Sequence, residues 1–555
     1  MSISNISIII STKYLDVTEM EKITQMKKTN RLFTSRFRLY KFKVLMYCAS
    51  FFLIFSLTSF RISKEKHIES FDFLTDVSTP FNIVYYGAKG DGHTLNTKSI
   101  QSAIDACFKA GGGTVYFPAG TYRSGTIFLK SNVHISLAAG AILLASKEHK
   151  DFPRQPIAEY RSQKDTNGWY ALIFGEGLSN IAITGMGEID GNGAFQKPRT
   201  ELKKGDSDGR PRNLLLISCN QVKIEGITMK NSGVWNQHYL NCEDVIIDKV
   251  KVFNHSNRNN DAVDIDGCRR VVISNSIFDS DDDGITLKST GLAPTEDVTI
   301  SNCVISSFCN AIKAGTESTG GFKNIVISNC VIKPSNAEIP PIFNTPKHGI
   351  SGISLEIVDG GTMEGIAISN IVIEGTECPL YIRLGNRARK HVEEALLPKM
   401  GHMRNITISN VTAYNTGNFS SSITAIPGSY IENISLSNIQ LFNKGGIALG
   451  DFITDYTQVE EKENSYPQPT VWGNLPSSVF FIRHVKNLSL ANLSFGSQDV
   501  DPRIPINAID VINLSIDDPT FSGGDTNKVF VLMKDVTGHK IEKPLGWIGN
   551  SAFLD

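Results

Sequence analysis

The sequence has almost no net charge: 55 basic against 56 acidic side chains leave −1. Without a basic run in its body it lacks the electrostatic footprint of a duplex-binding protein, so nucleic acid is not an expected partner. Metal-ligand patterns are missing too. The nine cysteines form no CxxC pair, the histidines do not cluster, and neither an HExxH helix nor a zinc-finger spacing occurs, so no resident metal or cofactor is expected. No Ser-His-Asp order appears, which leaves a nucleophilic protease unsupported. The Gly-rich GAKGDG at 87–92 lacks the GK[ST] ending of a phosphate loop. Disorder as the main state is excluded by a hydrophobic fraction of 41%.

Long apolar runs are scarce. Val44–Phe60 is seventeen residues without a charge, between RFRLYKFK and RISKEKH. It reads as an export signal or anchor inside a targeting segment, 1–68, so an exported protein is expected, touching a membrane only through this segment. Met26-Lys27-Lys28 is a more usual signal-peptide start than Met1, and Cys48, early in the run behind Tyr47, does not read as a lipidation site.

What is abundant is a repeated phrase. QVKIEGITMK, DVIIDKVKVF, RVVISNSIFD, DVTISNCVIS and NIVISNCVIK each pair a short alternating strand, a polar break and a second short strand. Their first apolar residues, Val222, Val245, Val271, Val298 and Ile325, are spaced by 23, 26, 27 and 27 residues. Such a period in β-rich sequence predicts coils of a single-stranded parallel β-helix, each about 4.8 Å above the last. Gaps of 41 to Ile366 and 40 to Ile406 predict coils with long loops. The predicted class is all-β: an N-terminal cap region, 75–130, with a helix near 97–110; a β-helix over 131–526; and a closing segment, 527–555. Cys219, Cys242 and Cys268 share one offset from their anchors, and Cys303 and Cys330 another, which predicts stacked core thiols. The Asn residues of the ISN phrases read as turn ladders.

Acids concentrate in one place. Asn259–Ser289 holds Asp261, Asp264, Asp266, Asp279, Asp281, Asp282 and Asp283. Calcium binding, carboxylate catalysis and turn capping are the alternatives. His238 and Asp261 both lie sixteen past their anchors, predicting one column, and Asp282 and Cys309 both lie eleven past theirs, predicting a second. Carboxylates on adjacent rungs are the arrangement that cleaves a glycosidic bond, one protonating the leaving oxygen and others activating water. Crowding would keep at least one protonated.

At these residues the chain resembles the polygalacturonases of glycoside hydrolase family 28. Asn259-Asn260-Asp261 and Asp282-Asp283 match that family's Asn-x-Asp and Asp-Asp. FNIVYYGAKGDG, GTVYFPAGTY, GEIDGNG at Gly187–Gly193 and RPRNLLLISCNQVKIEGITMKNSGVWNQHYLNCEDV extend the likeness over about residues 80–440. The resemblance implies a right-handed β-helix and inverting hydrolysis, with Asp282 as general acid and Asp261 and Asp283 holding the attacking water. Inversion is expected to need carboxyl groups roughly 6.5–9.5 Å apart. Two motifs depart: the family's Gly-His-Gly falls at Phe308-Cys309-Asn310, and its Arg-Ile-Lys, which grips a galacturonate carboxylate, falls at Ser354-Leu355-Glu356.

Cations for a uronate must then come from elsewhere. Lys288, Lys313, Arg383, Arg387 and Arg389 are candidates, beside Asn259, His238 and Glu356 as further substrate contacts and Trp235 as a sugar platform. The excursions Lys333–His348 and Gly385–Met403 predict walls that turn a groove into a pocket, and hence exo-action or cleavage of oligosaccharides. The expected substrate is a pectic polysaccharide or oligosaccharide with α-linked galacturonosyl bonds, and the expected state is a monomer. A β-helix polysaccharide lyase and a non-catalytic carbohydrate-binding β-helix are the rival readings.

Overall fold

The computed structural model describes residues 80–554 apart from 157, 166–167, 205–207 and 342–345; the expected targeting segment lies outside them. Among the described residues, no helix is long and apolar enough to cross a membrane.

The chain winds into a right-handed parallel β-helix. Strands Glu243–Asp248, Lys251–Asn254 and Val263–Asp266 lie in parallel register on Arg269–Ser274, Ile277–Ser280 and Ile285–Ser289 of the next coil. The sequence anchors stack as their period predicts: Val222 pairs with Val245, then Val271, Val298, Ile325, Ile366 and Ile406 in turn. Alternation sends every second residue inward, and these aliphatic side chains form one continuous core along the stack. The eight cysteines among the described residues are buried free thiols, and Cys268 Sγ accepts from the Cys242 N–H at 3.2 Å. Turn asparagines adopt the left-handed conformation that Asn tolerates, Asn370, Asn410, Asn438 and Asn492 among them. Their amides form a ladder, with Asn410 donating to Asn370 at 3.0 Å and Asn438 to Asn410 at 2.8 Å.

At the N-terminal end, helix α1 (Thr97–Lys109) buries Ile100, Ala103, Ile104 and Cys107 against the first coils. Their three- and four-residue spacing is one helical face. At the other end the stack continues past Asn527: Val531–Ile541 pairs in parallel with Ile504–Asp517, and Ala552–Leu554 with Val531–Ile541. Phe495, Phe521, Phe530 and Trp547 close that end as an aromatic cluster.

One face carries the acids. Its strands are β1 (Gln237–Leu240), β2 (Val263–Asp266), β3 (Ile285–Ser289), β4 (Asn310–Ser318), β5 (Ser351–Ile357), β6 (Cys378–Leu384), β7 (Ser421–Thr424) and β8 (Ser477–Ser497).

Candidate active site

Turn length decides which acids meet. Lys230 pairs with Phe253 at an offset of 23, but His238 pairs with Asp264 at 26. Three extra residues therefore enter the turn between Asn254 and Asp261. The column expected to join His238 to Asp261 does not form, because an offset counted from a strand anchor fails beyond an inserted turn; Asp264 takes that place. The next coil's turn is four residues shorter: Asn254 pairs with Ser280 at 26 and Val263 with Ile285 at 22. Beyond it the offset is a constant 27, from Ser280–Ser307 to Ile285–Ile312, which sets Cys309 on Asp282 as expected.

The long turn is pinned from inside. Asn260 Nδ2 donates to the Ser232 carbonyl at 3.0 Å, and Asn254 Nδ2 to the Asp261 carbonyl at 3.0 Å. Arg210 is buried beneath it, donating to the carbonyls of Gly233 at 2.9 Å and Arg258 at 2.5 Å and to Asn259 Oδ1 at 3.3 Å. With its oxygen held there, Asn259 turns its Nδ2 toward Asp282 Oδ2, 3.5 Å away.

Asp261, Asp282 and Asp283 converge so that one carboxylate oxygen from each lies within 4.8 Å of the others. Asp261 and Asp283 are buried; Asp282 is partly exposed. Asp282 Oδ1 accepts the Asp283 N–H at 2.9 Å. Burial first, and the charge of Asp283 second, push the Asp282 carboxyl up to about 7, against the opposing pull of Lys313 and Lys288. Asp264, beneath Asp261, is also pushed up to about 7 by burial. Asp261 is raised well above the usual carboxylate range by burial and then by Asp264 and Asp282. Asp283 accepts from three donors: the Asn310 N–H at 3.2 Å, Asn310 Nδ2 at 2.6 Å and Lys313 Nζ at 3.1 Å. Ser351 Oγ donates to Asn310 Oδ1 at 2.7 Å and so fixes which end of that amide faces Asp283.

Two buried ammonium groups hold the acids together. Lys288 Nζ lies 3.6 Å from Asp261, 3.4 Å from Asp264 and 3.6 Å from Glu317. Burial works against its charge, but Glu317, Asp264 and Asp261 outweigh that and raise it well above the ordinary lysine range; Asp283 does the same for Lys313. Glu317 receives Lys164 at 2.9 Å and Arg389 at 3.4 Å. Its carboxyl therefore sits well below the usual range despite burial. Arg389 also clasps Asp359 at 2.6 Å.

Other expected contacts have different surroundings. His238 is fully buried, its Nε2 donating to the Asp266 carboxylate at 3.0 Å, with Trp235 and Trp169 against its ring. Burial lowers it to about 4. Trp235 is buried, with Lys288 4.5 Å and Lys164 5.1 Å from its ring centre, so no open face is left for a sugar. Glu356 is fully buried; Ser354 Oγ donates to its Oε1 at 2.9 Å, and burial pushes it up to about 7. Arg383 is turned away from the acids. Its guanidinium is taken up by the carbonyls of Ala425 at 2.9 Å and Glu461 at 2.6 Å.

Those carbonyls reveal a wall that the sequence reading missed. Residues 444–476 fold over the face beyond β5: Arg483 Nη1 donates to the Val459 carbonyl at 2.7 Å, Asn386 N–H to that of Glu463 at 2.8 Å, and Val459, Leu475 and Phe481 pack together. Tyr466, from the same segment, accepts from Lys313 Nζ at 3.1 Å. Glu317, Tyr466, Lys164 and Arg210 are site residues that sequence reasoning did not find. Only Glu317 left a signal, four residues past Lys313 in β4.

A model for glycosyl hydrolases family 28 matches residues 113–449, more than half of the chain. The chain belongs to glycoside hydrolase family 28. A probable polygalacturonase of Vitis vinifera is 29% identical over 48% of this chain and 56% of its own length. An exo-poly-alpha-D-galacturonosidase of Dickeya chrysanthemi is 30% identical over 38% of this chain and 42% of its own. The matched region thus spans about half of these relatives. The family 28 exopolygalacturonase structure of Yersinia enterocolitica aligns with a TM-score of 0.58, over 84% of this chain and 79% of that one, at 20% identity, a likeness of fold. Within this family 28 chain, the carboxylates at the matching motifs are the ones that converge.

Proposed function

We propose that the protein hydrolyses α-linked galacturonosyl bonds of pectic chains with inversion, from a chain end or on oligosaccharides. The observation that carries this is the convergence of Asp261, Asp282 and Asp283 within 4.8 Å, with Asp282 raised to about 7 and the most open of the three. Asp282 then holds a proton to give to the glycosidic oxygen as that bond breaks. Asp283, which accepts from Asn310 and Lys313, takes the proton of a water that attacks the anomeric carbon from the opposite side, and Asp261 orients that water.

The 4.8 Å is between single oxygens, a shorter measure than the roughly 6.5–9.5 Å between the carboxyl groups of an inverting pair. Oxygens within 4.8 Å fit a single water bridging two carboxylates through hydrogen bonds of about 2.8 Å each. On this reading two acids hold the water, and its attack from the side opposite Asp282 inverts the anomeric carbon.

The lyase alternative needs a lysine or arginine that gives up its charge to abstract a proton. Lys288 and Lys313 are both driven toward the charged form and stand against the carboxylates where a divalent cation would have to sit. The segment 444–476 supports end-wise or short-chain cleavage, since it fills the face past β5. Incubation with defined oligogalacturonides tests the proposal. Reducing ends released one sugar at a time, without ultraviolet-absorbing product, are expected; an unsaturated uronide would replace hydrolysis with elimination, and random midchain products would remove the exo assignment.

A further inference from the structure

Strand β4 departs from the regular ladder at one point. Leu287 pairs with Ala314 but Ser289 with Ser318, so Gly315, Thr316 and Glu317 stand opposite the single residue Lys288. A bulge of this kind breaks the alternation of the strand and re-aims the side chains within it. Gly315 admits it: its φ of +132° is one that L side chains rarely adopt, and a Cβ there would lie 2.7 Å from that of Glu356. The residues after Gly315 then reach other parts of the chain. Thr316 Oγ1 accepts from Arg389 at 3.2 Å, and Ser318 Oγ accepts the N–H groups of Val358 at 2.9 Å and Asp359 at 3.0 Å.

Glu317, the last residue of the bulge, divides its buried carboxylate. Oε2 faces Lys288 Nζ at 3.6 Å, while Oε1 receives Lys164 at 2.9 Å and Arg389 at 3.4 Å. Lys164 arrives from 153 residues earlier in the chain and Arg389 from 72 residues later. Lys288 in turn stands 3.6 Å from Asp261 and 3.4 Å from Asp264. One carboxylate therefore joins two outlying segments to the ammonium that holds the acids. Asp359, on Arg389, and Arg387, Glu356 and Tyr466 are the further charged and titratable groups around it. Lys288 draws the Asp261, Asp264 and Asp282 carboxyls downward, and the negative charge of Glu317 offsets part of that pull. Neutralising Glu317 would leave Lys288, Lys164 and Arg389 to act on the acids, whose protons would then be lost at lower pH.

We propose that Glu317 is a positioning residue for the hydrolysis, fixing through Lys288 the place and net charge of the cation beside Asp261 and Asp264. This rests on the pectic hydrolase reading but also has a test that needs no turnover. Glu317→Gln and Glu317→Asp are compared with wild type on trigalacturonate across pH. Glu317→Gln is expected to lower kcat about 10–100-fold, the cost of a small misplacement, and to move the alkaline limb of kcat/KM down by roughly half a unit to one unit. Glu317→Asp keeps the charge and should return that limb close to its wild-type position. A limb that stays in place in Glu317→Gln, whatever the fall in kcat, makes Glu317 a scaffold residue and overturns the proposal. If wild type cleaves no galacturonide, the hydrolase reading falls, and melting curves decide the role of Glu317 separately. Asp264 and Asp282, pushed up to about 7, make stability fall between about pH 5 and pH 8. Glu317→Gln should shrink that fall, because those carboxyls then titrate nearer their unfolded values; an equal loss of melting temperature at both pH values overturns the role. Should Glu317→Gln not fold, Lys164→Met decides: removing a cation from Oε1 leaves more of the Glu317 charge beside Lys288, so the alkaline limb should move up, and an unmoved limb overturns the proposal.

Discussion

Lys313 Nζ stands 3.1 Å from Asp283 Oδ2 and is buried with it. The pair sets an ammonium directly against the carboxylate proposed as the base for water. Replacing Lys313 by Met removes the cation and leaves Asp283 with Asn310 alone. A fall in kcat of roughly a hundredfold or more is expected, since a buried charge without its partner is strongly disfavoured. Tyr466→Phe, which keeps the ring, should cost less than about tenfold. Steady-state kinetics on an oligogalacturonide checks both, and equal effects would show that Lys313 serves the loop rather than the acid.

Asp282→Asn should lower kcat by about 10²–10⁴, the usual worth of a general acid. A substrate with a leaving group that needs no protonation should recover much of the loss. In wild type, kcat/KM should decline as pH rises past about 7, where Asp282 loses its proton. Undiminished turnover in the variant would displace Asp282 from the acid role.

Arg210 acts through Asn259. Arg210→Gln frees the amide that faces Asp282, so kcat should fall about tenfold and the alkaline limb of the pH profile should move. Arg210 also binds backbone carbonyls, so melting curves belong beside the kinetics. Loss of stability with an unmoved pH profile would make Arg210 a scaffold residue only.

Stability should depend on pH with a definite sign. Asp264, Asp282 and Glu356 are each pushed up to about 7 from ordinary values of 3.8, 3.8 and 4.5. The folded state therefore binds their protons more tightly than the unfolded chain, and the associated stability, full at low pH, is lost as pH rises through about 7. Melting temperature should drop by a few degrees between about pH 5 and pH 8, and Glu356→Gln should reduce that drop. A melting temperature that rises over this interval would contradict the burial of these acids.

How much of this the sequence revealed depends on distance along the chain. Stacked anchors from Val222 to Ile406, thiol columns and the Asp282–Cys309 column follow from one local period, because strands of equal length repeat their offsets. The expected His238–Asp261 column fails where three residues enter a turn, since strand periodicity carries no information about turn length. Arg383 has the alternation of a groove-facing residue, but the segment that covers it lies some 80 positions on and leaves no periodic mark. Tyr466 and Lys164 reach the site by the same kind of remote excursion, 153 residues from their partners.

The most direct test of the central claim is proton NMR of trigalacturonate during the first turnovers. A water held between Asp261 and Asp283 and delivered opposite Asp282 predicts the β-anomer as the first product, relaxing to the equilibrium mixture, with no vinylic signal. The α-anomer appearing first, or a 4,5-unsaturated uronide, would contradict it.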